Sequence, residues 1–338
     1  MGLRSWQGPG FSRARPSPKS GQLAHPTTQM ILDRKITLLG APLGLGGGHT
    51  GTRLGPTAVR TAGLIESIKK LGLEVEDGGD VPEDLLEVDL AGELAGNPKA
   101  RYLATIVAHC AALRDRVRSV VEEDRLPIVI GGDHAIAAGT IAGTASAYRA
   151  AGKRLGLLWF DAHGDMNTPD TSPSGNVHGM PLAASLGKGP KGLVELAGFS
   201  PMLDVTKCAL IGVHDLDRRE KDMIRSVGLR CYTMREIDMM GMQRVLEEAI
   251  EIATDGTDGF HLSFDVDGCD ESIAPGTGTI VPGGANLREA HLLMENVADT
   301  GQLASLEITE VNPLLDVRNQ TAELAVDLIE SALGKLVL

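Results

Sequence analysis

The chain has 338 residues, 42% apolar and 23% charged, which are ordinary globular proportions, and its length suits one large or two medium domains with a real core. Aromatics are only 3%, so that core must be aliphatic. A net charge of −13 argues against nucleic acid or an anionic membrane surface as partner; no apolar run approaches the ~18 residues of a membrane span; and four cysteines without a C-x-x-C pair argue against a disulfide framework and for a cytoplasmic protein.

Residues 1–29 contain Arg, Ser, Pro and Gly but no acidic residue, which predicts a disordered N-terminal tail. A transit peptide has the same composition, and a start codon upstream of a true start at Met30 gives the same picture. From residue 30 to 338 a single domain is expected. KITLLGAP (35–42) reads as a strand and 55–72 as a helix, with Pro56 in its first turn. Helical spacing recurs over 101–120; 126–133 reads as a strand, 135–150 as a helix and 155–163 as a strand, followed by a long loop to His178. Strands are expected at 208–215, 229–234, 260–267 and 303–312, with helices from Asp217 and over 242–254, 286–298 and 321–336. Strands alternating with helices predict a three-layer α/β/α fold with a mostly parallel central sheet. Ligands of such sheets bind at the carboxyl ends of the strands.

Three of those ends carry unusual residues. GGDH ends in Asp133 and His134, FDAHGDMN holds Asp161, His163 and Asp165, and SFDVDGCDES holds Asp265 and Asp267. Each group has an ordinary reading, since Asp after a strand often caps a helix and a lone His is usually a satisfied core residue. Three groups at one end of one sheet would instead repel strongly unless cations neutralised them. Oxygen-rich ligation with a few imidazoles suits divalent ions, Mn²⁺ in particular, and the ligand count exceeds one ion, so a two-metal centre is expected. A competing signal is GGGHTG at 46–51, which fits the G-x-G-x-x-G dinucleotide fingerprint. The next helix begins only at Gly55–Pro56, beyond the glycines, so this run reads better as a loop at the rim of the same site.

GGDH, DAHGDMN, SFDVDGCDESIAPGTGT and EVNP, in that order from about Lys35 to the C-terminus, resemble the signatures of the ureohydrolases, manganese enzymes that cleave guanidino groups. NTPDTSPSGNVHGMP resembles the arginase branch of that family. The resemblance implies one Mn²⁺ on His134, Asp161, Asp165 and Asp265 and a second on Asp161, His163, Asp265 and Asp267, with Asp161 and Asp265 bridging. Asp133 then lies outside the ligand set, orienting a histidine or the loop. His178 becomes the proton shuttle, Asp165 also steadies the nucleophile, and Glu310 pairs with the guanidinium. Asn167, Ser172, Ser174 and Asn176 would surround the substrate carboxylate, and Asp217, supported by Glu220, would meet its α-amino group. Ser172 stands where some arginases have threonine, and Asp170 is expected to face solvent. The implied reaction is L-arginine and water to L-ornithine and urea, with agmatine or guanidinobutyrate as alternative substrates. A homotrimer or homohexamer is the implied assembly.

Overall fold

The computed structural model describes residues 34–82 and 97–335; the tail expected at 1–29 lies outside them. Among the described residues eight strands form one sheet: β1 (Ile36–Ala41), β2 (Val75–Asp80), β3 (Leu126–Gly131), β4 (Leu155–Phe160), β5 (Cys208–Val213), β6 (Arg230–Thr233), β7 (Gly259–Asp265) and β8 (Leu303–Thr309). Their order is β2-β1-β3-β8-β7-β4-β5-β6, and every pairing between strands is parallel. The helices are α1 (Gly55–Thr61), α2 (Leu64–Lys70), α3 (Leu103–Glu122), α4 (Ala137–Ala150), α5 (Pro181–Ser185), α6 (Lys191–Val194), α7 (Arg218–Val227), α8 (Met234–Met240), α9 (Met242–Thr254), α10 (Leu287–Thr300) and α11 (Gln320–Ala332). One apolar cluster joins the sheet to α1, α2 and α8 to α11; a second joins its other face to α3 through α7. This is the three-layer α/β/α arrangement.

Three differences from the sequence reading have physical causes. The helix expected over 55–72 breaks at Gly63, whose φ of +95° is open to glycine and strained for other residues. Thr233 and Glu236 form a capping box and start α8 where the sequence reading saw only the end of a strand. The site strands also stop two or three residues early. Asp133 accepts from Ala135 N, Asp161 from His163 N and Asp265 from Asp267 N. Each aspartate thus turns the chain out of the ladder by a local side-chain bond that competes with sheet pairing. Gly132 is required at the first of these turns, because a Cβ there would sit 2.3 Å from Leu43 O and 2.6 Å from Ala41 O.

Candidate metal centre

Four neighbouring strands at the middle of the sheet, β3, β8, β7 and β4, deliver the polar residues. After β3, His134 opens a short 3₁₀ turn into α4. After β4 come Asp161, His163 and Asp165; β7 ends in Asp265, followed by Asp267; β8 ends just before Glu310. His134, Asp161, Asp165, Asp265, Asp267 and Glu310 are all buried. Asp165 and Glu310 have φ of +48° and +64°, a region that non-glycine residues enter at a cost and mostly at functional sites.

The side chains converge as two groups. His134 Nδ1 stands 3.1 Å from Asp161 Oδ2, 3.1 Å from Asp165 Oδ2 and 2.9 Å from Asp265 Oδ2. His163 Nδ1 stands 3.4 Å from Asp161 Oδ1 and 3.1 Å from Asp267 Oδ2. Ligand-capable atoms of His134, Asp161 and Asp165 lie within 4.8 Å of one another, as do those of Asp161, His163 and Asp267. Asp161 is common to both, one oxygen to each. Asp265, the second expected bridge, reaches the cluster at His134 and completes neither triplet.

Electrostatics reinforces the cation reading. Burial, then the Asp267 and Asp161 charges, push the Asp265 carboxyl well up; burial and Asp161 do the same to Asp165. Burial disfavours charge on His134 and His163 as well, but the surrounding carboxylates outweigh it and raise both rings. His134 Nδ1 and Asp165 Oδ2 are buried and 3.1 Å apart but make no well-formed hydrogen bond, a crowding of ligand atoms that coordinated cations would relieve. The donor set, carboxylate oxygens with two imidazoles, fits divalent ions of the manganese type.

Around this centre, Asp133 takes hydrogen bonds from Gly46 N (2.7 Å) and Ala135 N, tying the glycine run to the site. Burial and the neighbouring Glu310 push its carboxyl up to about 6. His178 N donates to Gly46 O, and its Nδ1 is 3.1 Å from Glu310 Oε1. Burial pulls the His178 pKa down, but the Glu310 hydrogen bond and charge raise it to about 9. Glu310 Oε1 also accepts from His134 N at 2.9 Å. Asn167 Nδ2 donates to Asp217 Oδ2 at 2.8 Å, while its Oδ1 is buried and unpartnered. Asp217 caps α7 through Arg219 N and Glu220 N. Glu220 accepts from Met166 N, and burial pushes it up to about 7.

Ser172 Oγ accepts from Gly175 N, Ser174 Oγ from Asn176 N, and Asn176 Oδ1 from Arg101 Nη1 at 3.3 Å. The Asp170 side chain is 92% exposed. Two contributors were missed from sequence. Trp159 donates its indole N–H to Asp161 Oδ2 at 2.9 Å and stacks on His134; its position two residues before Asp161, on the same strand face, was the available signal. Thr279 donates to Asp267 Oδ2 at 2.6 Å from a Gly- and Pro-rich loop that offers no periodicity to read.

Residues 34–334 match the model of the arginase family. The arginase of Bacillus subtilis is 45% identical over 307 residues, covering 91% of this chain and 100% of that protein. Among solved structures, the arginase from Bacillus cereus aligns with TM-score 0.84 and 45% identity over 90% of this chain and 100% of its own. That of Entamoeba histolytica, in complex with L-ornithine, aligns with TM-score 0.81 and 32% identity over 89% and 99%.

Proposed function

The chain belongs to the arginase family, and from that premise we propose that it hydrolyses L-arginine to L-ornithine and urea at two Mn²⁺ ions. The observation that carries this reading is Asp161, shared by two ligand groups beside the unpartnered His134 Nδ1 and Asp165 Oδ2. The assigned ligands are His134, Asp161, Asp165 and Asp265 for one ion and Asp161, His163, Asp265 and Asp267 for the other.

A guanidinium carbon is a poor electrophile and water a poor nucleophile. Paired divalent ions supply hydroxide near neutral pH. The chain's own residues do the rest. Both bonds of Glu310 fall on Oε1, and its Oε2 is the oxygen we assign to the guanidinium. Asp165 aims the nucleophile by a hydrogen bond. As the carbon–nitrogen bond of the tetrahedral intermediate breaks, the departing amine takes a proton from His178, whose raised pKa keeps it protonated at neutral pH. Asp217, with Glu220 behind it, meets the α-amino group. Asn167, Ser172, Ser174 and Asn176 offer uncharged donors to the carboxylate, which agmatine lacks and which therefore favour arginine. The remaining proposals are a single catalytic domain over 30–338, assembly as a homotrimer or homohexamer, and a cytoplasmic setting. Among the described residues no helix is long and apolar enough to cross a membrane.

The test is urea release from arginine, agmatine and guanidinobutyrate side by side, after chelation and reloading with Mn²⁺ or Zn²⁺. Fastest turnover of arginine with manganese is expected. Preference for agmatine, or activity that survives full chelation, overturns the reading.

A further inference from the structure

Beneath the metal centre, β7 and β8 break the rule that inner parallel strands are apolar. In β7, His261 and Ser263 alternate with Phe260, Leu262 and Phe264; in β8, Ser305 and Glu307 alternate with Leu306 and Ile308. The strands pair His261 with Ser305 and Ser263 with Glu307, so the four side chains form two polar rungs on one face. All four are fully buried. None belongs to the ligand set or to the substrate loop.

The contacts run in one direction. His134 Nε2 is 2.8 Å from Ser263 Oγ. Ser263 Oγ donates to Glu307 Oε1 at 2.7 Å. His261 Nε2 lies 3.2 Å from the same oxygen, and His261 Nδ1 lies 2.8 Å from Ser305 Oγ, which accepts from Thr144 Oγ1 of α4 at 2.9 Å. A carboxylate only accepts. Glu307 therefore requires the Ser263 hydroxyl to point at it, which leaves a Ser263 lone pair for His134 Nε2–H. That fixes the tautomer of His134 with a bare Nδ1, and Nδ1 is the atom facing Asp161, Asp165 and Asp265. Burial alone would push the Glu307 carboxyl up; His261 beside it, with smaller help from His134 and Thr140, holds it low.

An isolated carboxylate inside a sheet is expensive, and a buried pair gains little over well-packed apolar residues. Simple packing therefore gives no reason for Glu307 here. We propose that Glu307, countered by His261, is a positioning residue that acts through Ser263 to hold His134 in its metal-binding tautomer and ring orientation. This rests on the metal reading of the site.

The experiment titrates Mn²⁺ into metal-free full-length protein and resolves the two sites by calorimetry, for wild type, Glu307→Gln, Ser263→Ala and the double variant. Glu307→Gln keeps shape and an acceptor but loses the charge. It should weaken one site by roughly 10–100-fold, the range seen when a partner of a ligand histidine is lost, and leave the other near wild type. Ser263→Ala should weaken the same site, and the double variant should be no worse than the weaker single, because both cut one chain. Glu307→Asp, which keeps the charge, should recover part of the loss. Two sites unchanged in Ser263→Ala, or two sites weakened equally in every variant that folds, overturns the proposal while wild type still binds two ions. If Glu307→Gln does not fold, Ser263→Ala alone decides between these outcomes. Wild-type protein that takes up no Mn²⁺ overturns the metal reading, and this inference with it.

Discussion

Replacing Glu310 by glutamine keeps the acceptor for His134 N and the shape of the pocket but removes the charge facing His178. The ordinary histidine value is 6.5, and Glu310 is the main influence that lifts His178 against burial to about 9. That difference is worth roughly 3 kcal/mol of preference for the charged ring. Asp165 and Asp133 contribute less, and bound cations would cancel much of the Asp165 share, leaving Glu310 dominant in the loaded enzyme. Because the folded value is raised, the ion pair stabilises the protein fully below about pH 6.5, and that contribution disappears as the pH rises through about 9. In Glu310→Gln, burial is opposed only by the smaller Asp165 and Asp133 charges, and the ring should titrate near neutrality. The assay is the pH profile of kcat/KM for arginine in manganese-loaded protein, paired with an NMR titration of the His178 ring. Wild type should lose activity above about pH 9, where the acid is lost; the variant should decline from roughly two pH units lower. Its overall rate will fall as well, because Glu310 is assigned to the guanidinium, so the position of the limb and not its height is diagnostic. An alkaline limb and a ring titration that coincide with wild type would refute the coupling.

His178→Ala should lower kcat by roughly 10²–10⁴-fold with metal content retained; loss of manganese at unchanged kcat would move His178 into the metal shell. Asp161→Ala and Asp265→Ala should each reduce bound manganese more than Asp267→Ala, measured by elemental analysis, and equal content in all three would count against bridging. Glu220, raised by burial to about 7, destabilises the fold progressively as the pH rises from 4.5 through 7; Glu220→Gln should therefore melt higher than wild type at pH 8 and not at pH 4. A chain beginning at Met30 should match the full chain in melting temperature and turnover, and a large drop in either would show that the tail docks.

The alternation of strands and helices, the parallel sheet and the placement of chemistry at strand ends were all legible in the sequence, because each rests on local period and turn residues. DAHGD and DVD pointed to a cluster of acids and histidines at one end of the sheet, because each follows an apolar run, and the structure brings them together. Strand order was not legible. That β8 separates β3 from β7, and so brings Glu310 against His134 and His178, depends on pairings between distant segments. The ends of the strands were overestimated because Asp133, Asp161 and Asp265 each bond to the backbone two residues on, a turn that residue type alone does not announce. The alternation in HLSFD and SLEIT is visible in the sequence, but that its polar residues face one another depends on the β7–β8 pairing, which is not.

The position of β8 also bears on how the molecule is made. Among the described residues it is the last strand in chain order, yet it belongs between β3 and β7. A nascent chain that has not reached Leu303 can assemble two partial sheets, β2-β1-β3 and β7-β4-β5-β6, each with an open edge where β8 belongs. Such edges invite pairing with other chains, and long-range closure of this kind is slow. The four strands that carry the site become one surface only when β8 inserts, so Asp161 and His134 remain on separate halves until residues 303–309 have been made. Closure of the whole centre thereby waits for β8, and a chain truncated before residue 303 would lack a complete site and be prone to aggregate.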